Sequence, residues 1–315
     1  MEIDLKKYNF NWFPMLMLLL SGGTLGFVFF RKELLFVIFF FFLILFFIRG
    51  LYKNELIRFF QLFVLFAFLL LTNYYYADVE QSIQKLFANL LVFTSSIFAA
   101  LYYSREENKS KFISHVRTIL KFVLIHSLIN FFIYPYIELN LTEISTERYD
   151  CLTYNYLFYY LGETHLINFS TFEIARNQGI FWEPGILQIF MNLLLFIEAF
   201  ILKKRGLVFW LSILSIVSTF STTGLLVMFI QLILYFFNTF KQNIYISILV
   251  FGVIGVIYVI TVANVQNKIS GDGQVSFQAR LFDLVQPLYI LADHPLTGVG
   301  LDDEQYVSTR QNTSY

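Results

Sequence analysis

The amino-acid sequence predicts an all-α protein, a polytopic transmembrane helical bundle with long outer loops. Hydrophobic residues make up 57% of the 315 residues and charged residues only 14%, whereas charged residues approach a quarter of a soluble domain. Apolar runs recur along the chain at lengths near the roughly 17 to 25 residues that one crossing needs. This composition excludes a soluble globular domain. The formal net charge of +0 gives no field that would attract nucleic acid.

The apolar runs divide the chain into four parts: residues 1–137 with about five spans, an outer loop at 138–184, residues 185–262 with about four spans, and an outer C-terminal segment at 263–315. The first run carries lysines before it, as signal sequences do, but further spans follow, so we interpret it as a retained helix. The run at 206–237 is too long for one crossing and contains Thr-Phe-Ser-Thr-Thr-Gly, which predicts two short helices joined by a turn. The expected spans are 13–30, 34–48, 57–72, 86–103, 119–137, 185–202, the two halves of 206–237, and 245–262.

The positive-inside rule orients these spans with the amino terminus in the cytoplasm. In that orientation the inner loops are about four times denser in Lys and Arg than the outer segments. The outer loop, the turn within 206–237 and the C-terminal segment then share the outer face. The inner cations are Lys6, Lys7, Arg49, Lys53, Arg58, Arg105, Lys109, Lys111, Arg117, Lys121, Lys203, Lys204, Arg205 and Lys241.

Residues 176–185, Arg-Asn-Gln-Gly-Ile-Phe-Trp-Glu-Pro-Gly, lie where the polar outer loop turns back into a predicted span. Proline suits the first position of a helix, so Pro184 predicts a helix that begins there with Glu183 at its N-cap. Gln188 and Asn192 continue a polar stripe one turn apart along the same helix. The stripe indicates a functional chamber, or alternatively helix capping with interhelical hydrogen bonds.

Other features of the chain predict little chemistry. The Tyr-rich patch at 154–160 is interpreted as a helix lying on the membrane surface. The single cysteine, Cys151, excludes an internal disulfide and argues against a thiolate metal cluster. The sequence contains no Walker loop and no metal-ligand spacing, so neither a cofactor nor a metal is expected.

Four ordered motifs resemble those of the bacterial O-antigen polymerase and O-antigen ligase superfamily, over roughly residues 170–301. They are Arg176-x-x-Gly179 through Glu183-Pro-Gly185, Phe220-Ser-Thr-Thr-Gly-Leu-Leu226, Ala279-Arg280, and His294-Pro-Leu-Thr-Gly-Val-Gly300. The resemblance implies a glycan donor linked to undecaprenyl pyrophosphate, used at the outer face of the bacterial cytoplasmic membrane. It also implies membrane lipids, a chain-length regulator and a flippase as partners, and no nucleic acid.

The leaving group of that reaction is a pyrophosphate, and guanidinium groups engage phosphate oxygens in pairs. Arg176 and Arg280 are therefore predicted to clamp it; the alternative is an ion pair of each with an outer carboxylate such as Glu173 or Asp283. Glu183 is the predicted base for the acceptor hydroxyl, with helix capping as the alternative. His294 is a second catalytic candidate because imidazole titrates near neutral pH, although His-Pro also indicates a helix end. The remaining candidates are predicted to bind the sugar or to form the turns of the site; they are Trp182, Ser221, Thr222, Gly298 and Gly300.

The chain departs from the family pattern at two places. Thr222 stands where the family often has an arginine after the serine, so one phosphate contact is either absent or supplied by Arg280. The histidine motif and further helices that follow the Gly-Val-Gly segment in ligases are not reached, so we expect a shortened chain. The leading interpretation is a repeat-unit polymerase, followed by a ligase that transfers polymer to a lipid A core. A transporter or flippase is the alternative from another class, although the spans are nearly free of charge.

Overall fold

The structure is a computed structural model that describes residues 12–50, 52–76, 82–145, 150–161, 166–169, 172–240 and 274–293, with the single positions 252, 255, 295 and 300. The helices in chain order are α1 (Phe13–Leu20), α2 (Leu25–Phe29), α3 (Arg31–Arg49), α4 (Lys53–Tyr76), α5 (Ile83–Ser104), α6 (Glu106–Lys109), α7 (Phe112–Ile137), α8 (Pro184–Phe196), α9 (Leu207–Ser218), α10 (Thr222–Phe240) and α11 (Gln274–Asp293). The strands are β1 (Thr142–Ser145), β2 (Asp150–Tyr154), β3 (Phe158–Leu161), β4 (Leu166–Phe169) and β5 (Phe172–Ala175).

The helices confirm the expected helical membrane bundle. Among the described residues, four helical segments are long and apolar enough to cross a membrane: Lys53–Tyr76, Ile83–Ser104, Phe112–Asn140 and Pro184–Ile201. Two further apolar segments, Leu207–Ser218 in α9 and Thr222–Phe237 in α10, are shorter. The segment 245–262, expected as a further span, lies outside the described residues except for positions 252 and 255.

The chain forms two compact units. The first consists of residues 1–30 and 111–265, and the second consists of residues 31–110 and 266–315. The first unit contains α1, α2, α7 to α10 and all five strands, whereas the second contains α3 to α6 and α11.

The core of the first unit lies where α8 packs against α9 and α10. Leu187, Met191, Phe209 and Ile216 are fully buried there because each helix turns an apolar face inward. At one end of the bundle, Arg117 on α7 forms an ion pair with Glu198, whose side chain is only 1% exposed. Glu198 lies on a short π-helical turn, Ile197–Ile201, that continues α8. This pairing accounts for the one acidic residue expected inside the sixth span.

Aromatic packing and one ion pair hold the second unit together. The ring of Phe98 on α5 lies 4.8 Å from that of Phe59 on α4 and 5.1 Å from that of Phe46 on α3. At the same end, both oxygens of the Glu55 carboxylate accept hydrogen bonds from Arg105 at 2.7 Å. Because the planar guanidinium engages both oxygens, the start of α4 is joined to the end of α5.

The first apolar run is broken, which corrects the single helix expected at 13–30. α1 ends at Leu20, α2 begins at Leu25, and Gly23 between them has a left-handed φ of 88°. Thr24 accepts a hydrogen bond from the N–H of Phe27 and so caps α2. Two consecutive glycines favour non-helical backbone, and their effect is hidden when hydropathy alone is summed over the run.

The Tyr-rich patch at 154–160 forms the end of a β-hairpin, which corrects the surface helix expected from the sequence. β2 pairs with β3 in antiparallel register, with Tyr154 opposite Phe158, and β1 completes a three-stranded sheet. Asn155 and Tyr156 both adopt left-handed φ values, 50° and 56°, which suit a tight hairpin turn. Aromatic residues favour strands, so a run rich in tyrosine does not by itself indicate an amphipathic helix.

The sheet is attached to the C-terminal half of α7. Tyr160 donates a hydrogen bond from its hydroxyl to the Asn130 carbonyl at 2.7 Å, and burial raises the pKa of this phenol, which keeps it a donor. Tyr160 also packs with Tyr134, Ile137 and Ala175 in a buried cluster. The outer loop is therefore a folded layer on the first unit, and β4 and β5 within it lead directly into residue 176.

Candidate functional site

Residues 176–183, here called the motif loop, dock onto the end of α9. The Asn177 side-chain amide donates to Ser218 Oγ at 2.8 Å, and its backbone N–H donates to the Ser218 carbonyl at 3.0 Å. Arg176 donates from Nε to the Thr219 carbonyl at 3.1 Å. The last carbonyls of a helix lack intrahelical partners, so the motif loop supplies donors that the end of α9 needs. These bonds bring Arg176 beside the turn between α9 and α10.

Residues 219–221, the hydroxyl turn, join α9 to α10 as the sequence predicted. Phe220 adopts a left-handed φ of 48°, and the Ser221 N–H donates to Thr219 Oγ1 at 3.2 Å. Ser221 precedes α10 and accepts a hydrogen bond of 3.5 Å from the Gly224 N–H. Ser221 is buried and Thr222 is half-buried, so the Thr222 side chain is the more accessible of the two.

The break between α1 and α2 holds the other side of the motif loop. The Leu25 N–H donates to the Ile180 carbonyl at 2.9 Å, and the Trp182 N–H donates to the Gly23 carbonyl at 3.3 Å. A Cβ on Gly23 would lie 2.9 Å from Ile186 Cδ1 and 3.1 Å from Trp182 Nε1. Only glycine therefore permits the close approach of this backbone to Trp182.

Glu183 occupies the N-cap of α8, with extended backbone at φ −151° and ψ 155° and Pro184 as the first helical residue. The predicted helix start is confirmed. However, the Glu183 side chain makes no capping hydrogen bond. Its Oε1 instead lies over Gly185, where an added Cβ would be only 3.0 Å away. No ion pair or side-chain hydrogen bond of this half-buried carboxylate occurs within the part of the chain that the structure describes.

The polar stripe of α8 faces another helix. Asn192 Nδ2 donates to the Gly224 carbonyl at 3.2 Å and to Gln188 Oε1 at 3.1 Å, and Gln231 on α10 donates to Asn192 Oδ1 at 3.3 Å. A Cβ on Gly224 would approach atoms of Gln188 to 2.8 Å. Interhelical hydrogen bonding and close packing of α8 on α10 thus explain the stripe.

The remaining candidates lie toward the C-terminus. Arg280 is on α11 in the second unit, so its pairing with Arg176 stays a prediction. α11 ends at Asp293, immediately before the His-Pro pair. His294 and Gly298 lie outside the described residues, and Gly300 has a left-handed φ of 98° that favours glycine.

Sequence reasoning missed four residues that assemble the site: Gly23, Thr24, Asn177 and Ser218. Two signals could have found them. The Gly-Gly pair interrupts an otherwise apolar run, and Asn177 stands within the matched motif, next to Arg176. As to metals, no group of three His, Cys, Asp or Glu side chains is close enough to hold an ion in the described ranges.

Comparison with known proteins assigns a family to the C-terminal third of the chain. Residues 207–315 match the family described as O-Antigen ligase, a region that begins with α9 and includes the hydroxyl turn and Arg280. Comparisons with curated proteins and with solved structures gave no match. The family implies a glycosyltransferase-like enzyme of surface polysaccharide synthesis that acts on lipid-linked glycans. Residues 207–315 are therefore similar to the O-antigen ligase family, and the composition and the four long apolar helices indicate an integral membrane protein.

Proposed function

We propose that the chain polymerises oligosaccharide repeat units linked to undecaprenyl pyrophosphate into a surface polysaccharide such as O-antigen or capsule. The observation that carries this proposal is the docking of the motif loop onto the hydroxyl turn. Arg176 and Asn177 bond to Thr219 and Ser218, so two motifs more than 30 residues apart in sequence meet at one place. Glu183 stands at the other end of the same eight-residue loop.

The reaction requires stabilisation of a departing pyrophosphate. As the bond between the anomeric carbon and the pyrophosphate oxygen breaks, the electron pair moves onto that oxygen, and a guanidinium group stabilises the charge. The bond from Arg176 Nε to the Thr219 carbonyl orients the guanidinium beside the hydroxyl turn. Arg280 is the second member of the proposed clamp and supplies the contact that Thr222 cannot make.

The acceptor hydroxyl must lose a proton as its oxygen bonds to the anomeric carbon. Glu183 is the proposed base, since a carboxylate that does not cap its helix is available to accept that proton. Trp182 offers an indole face for a sugar beside it. His294 remains a second candidate for the base.

The proposed location is the outer face of the bacterial cytoplasmic membrane, with the amino terminus in the cytoplasm. The concentration of Lys and Arg in the loops on the opposite side supports this orientation. Partners expected there are the lipid-linked donor, a flippase that delivers it, and a chain-length regulator.

A ligase that transfers polymer to a lipid A core is the second candidate, favoured by the description of the matched family as O-Antigen ligase. It uses the same kind of donor and would need the same clamp. A flippase is less well supported. The break between α1 and α2 resembles the broken helices of transporters, but its backbone is bonded to the motif loop.

Gel analysis of surface glycan after deletion of the gene separates these functions. Loss of the ladder with single units retained supports the polymerase, retained lipid-linked polymer without attachment indicates the ligase, and loss of all externalised units indicates the flippase.

Complementation of the deletion with Arg176→Ala and Arg280→Ala then tests the clamp. Both variants are expected to abolish long chains at unchanged protein level, because each removes a charge that the leaving group needs. Arg148→Ala, which alters an outer arginine outside the matched motifs, is the control and should restore the ladder. Normal chain length in the Arg176 and Arg280 variants would refute the clamp.

A further inference from the structure

The second unit contains a cavity of about 670 Å³ between the first turns of α3 and α5. Both helices begin at this cavity, so they run in the same direction, and Phe46 of α3 meets Phe98 of α5 toward their other ends. Each helix passes from a polar first turn into a long apolar stretch. α5 is long and apolar enough to cross a membrane, so the cavity lies at the water boundary of this helix, beside the polar start of α3.

The polar end of the cavity is strongly basic. Arg31 and Lys32 line it from α3 and Lys85 lines it from α5. Two helix N-termini point the same way and add positive potential. The first turn of α5 contains no acidic residue, and the Ser82 side chain makes no capping hydrogen bond. Glu33 is the one acidic residue in the first turn of α3, and it does not line the cavity.

The other walls of the cavity are apolar. Phe36, Phe87 and Leu91 line it below the three cations, and Phe36 and Phe87 are 53% and 59% exposed. A free phosphate ion would satisfy the cations but leave these walls uncovered. A ligand that matches both ends carries an anionic head and a hydrocarbon chain.

The orientation predicted from sequence makes this cluster unusual. Arg31, Lys32 and Lys85 belong to the minority of Lys and Arg assigned to the outer side, where cations are otherwise sparse. Neither the motif loop nor the hydroxyl turn contributes to the cavity. The proposed glycan chemistry therefore does not use this cluster, and its positive charge matches an anionic ligand.

We propose that this cavity binds an anionic glycerophospholipid, with its phosphate among Arg31, Lys32 and Lys85 and its acyl chains against Phe36, Phe87 and Leu91. Bulk phospholipid is present at the membrane boundary at all times, so the site would be occupied without any reaction taking place. The proposal does not depend on the glycan chemistry of the first unit.

The test uses the full chain, purified in a neutral detergent and examined by native mass spectrometry. Phosphatidylglycerol and phosphatidylcholine with identical acyl chains are added at equal concentration, and the bound fractions are compared. The wild-type chain should prefer phosphatidylglycerol. The triple variant Arg31→Gln, Lys32→Gln, Lys85→Gln should reduce that preference roughly tenfold or more.

A matched triple variant, Lys53→Gln, Arg58→Gln, Lys109→Gln, removes the same charge from exposed positions of the second unit outside the cavity. This matched variant should still prefer phosphatidylglycerol to phosphatidylcholine. The single variant Lys32→Gln, at an exposed position, should lose part of the preference for phosphatidylglycerol. If the triple variant does not fold, this single variant tests the proposal.

Three outcomes would overturn the proposal. The matched variant could lose the preference equally, which would make it a property of total charge. Inorganic phosphate could displace the phospholipid, which would indicate a site for a free anion. Undecaprenyl phosphate at equal concentration could displace phosphatidylglycerol from the wild-type chain but not from the Lys32→Gln variant. That result would show that the cavity binds the polyprenyl carrier.

Discussion

At the scale of single residues, Glu183 shows where sequence reasoning reaches its limit. The proline that follows it predicted the helix start, because its ring fixes φ and it needs no N–H there. The same pattern allowed two uses of the carboxylate, as a cap or as a base. The structure shows no capping hydrogen bond, and the carboxylate is folded over Gly185. Only the rotamer distinguishes the two uses, and a rotamer is not encoded in residue spacing.

Glu183→Gln tests the base. A glutamine has nearly the same shape but cannot take the acceptor proton, so we expect the glycan ladder to disappear. The midpoint of thermal unfolding should stay near that of the wild-type chain, because no capping bond is lost. Loss of a cap would instead cost about 1 kcal/mol of stability. Gel analysis and an unfolding scan of the purified chain measure the two effects separately.

Glu143→Gln on β1 is the matched control, since this exposed glutamate also belongs to the outer loop. It should leave both the ladder and the unfolding temperature unchanged. A Glu183 variant that unfolds earlier yet still makes long chains would show that the residue is a cap after all.

At the scale of elements, the hydropathy pattern predicted the long helices and the division of 206–237 into α9 and α10. It failed at Gly22 and Gly23, where two residues outweigh the apolar run around them, and at the Tyr-rich hairpin. The break matters because unpaired backbone in a membrane protein requires other partners. Here those partners are Ile180 and Trp182 of the motif loop, a long-range contact that periodicity cannot reveal.

Gly23→Ala tests the function of the break. The new Cβ meets Ile186 and Trp182, so we expect the motif loop to shift, the ladder to shorten and the unfolding free energy to fall. Gly50→Ala is the control, because Gly50 also has a left-handed φ, 71°, but open space around it. Gly23→Ala should cost about 1–3 kcal/mol more than this control, the usual penalty of overpacking. Equal destabilisation and a normal ladder in the two variants would contradict a close fit at Gly23.

At the scale of the whole molecule, the order of the motifs predicted a family better than it predicted a site. The match over residues 207–315 includes three of the four motifs and leaves out the one at 176–185. Assembly of the site depends on which segments of the chain contact each other. Because the entropic cost of closing a loop depends only weakly on its length, sequence separation does not predict which segments these are. The first unit brings Arg176 to Thr219, whereas Arg280 belongs to the second unit. Because the two arginines lie in different units, the clamp stays a proposal, and no local sequence pattern tests it.

The orientation of the whole chain is open to a direct test with introduced cysteines. Cys151 is 1% exposed, so its thiol is shielded from a reagent, and Cys151→Ala removes it from the background altogether. In that background, Leu139→Cys at the end of α7 and Glu106→Cys in α6 place single exposed thiols at sites predicted to lie on opposite sides. A membrane-impermeant maleimide added to intact spheroplasts should label position 139 but not position 106, because cationic loops are retained in the cytoplasm. Permeabilisation should expose both thiols. Labelling of position 106 alone in intact spheroplasts would reverse the orientation and put the motif loop on the side where lipid-linked repeat units are not delivered.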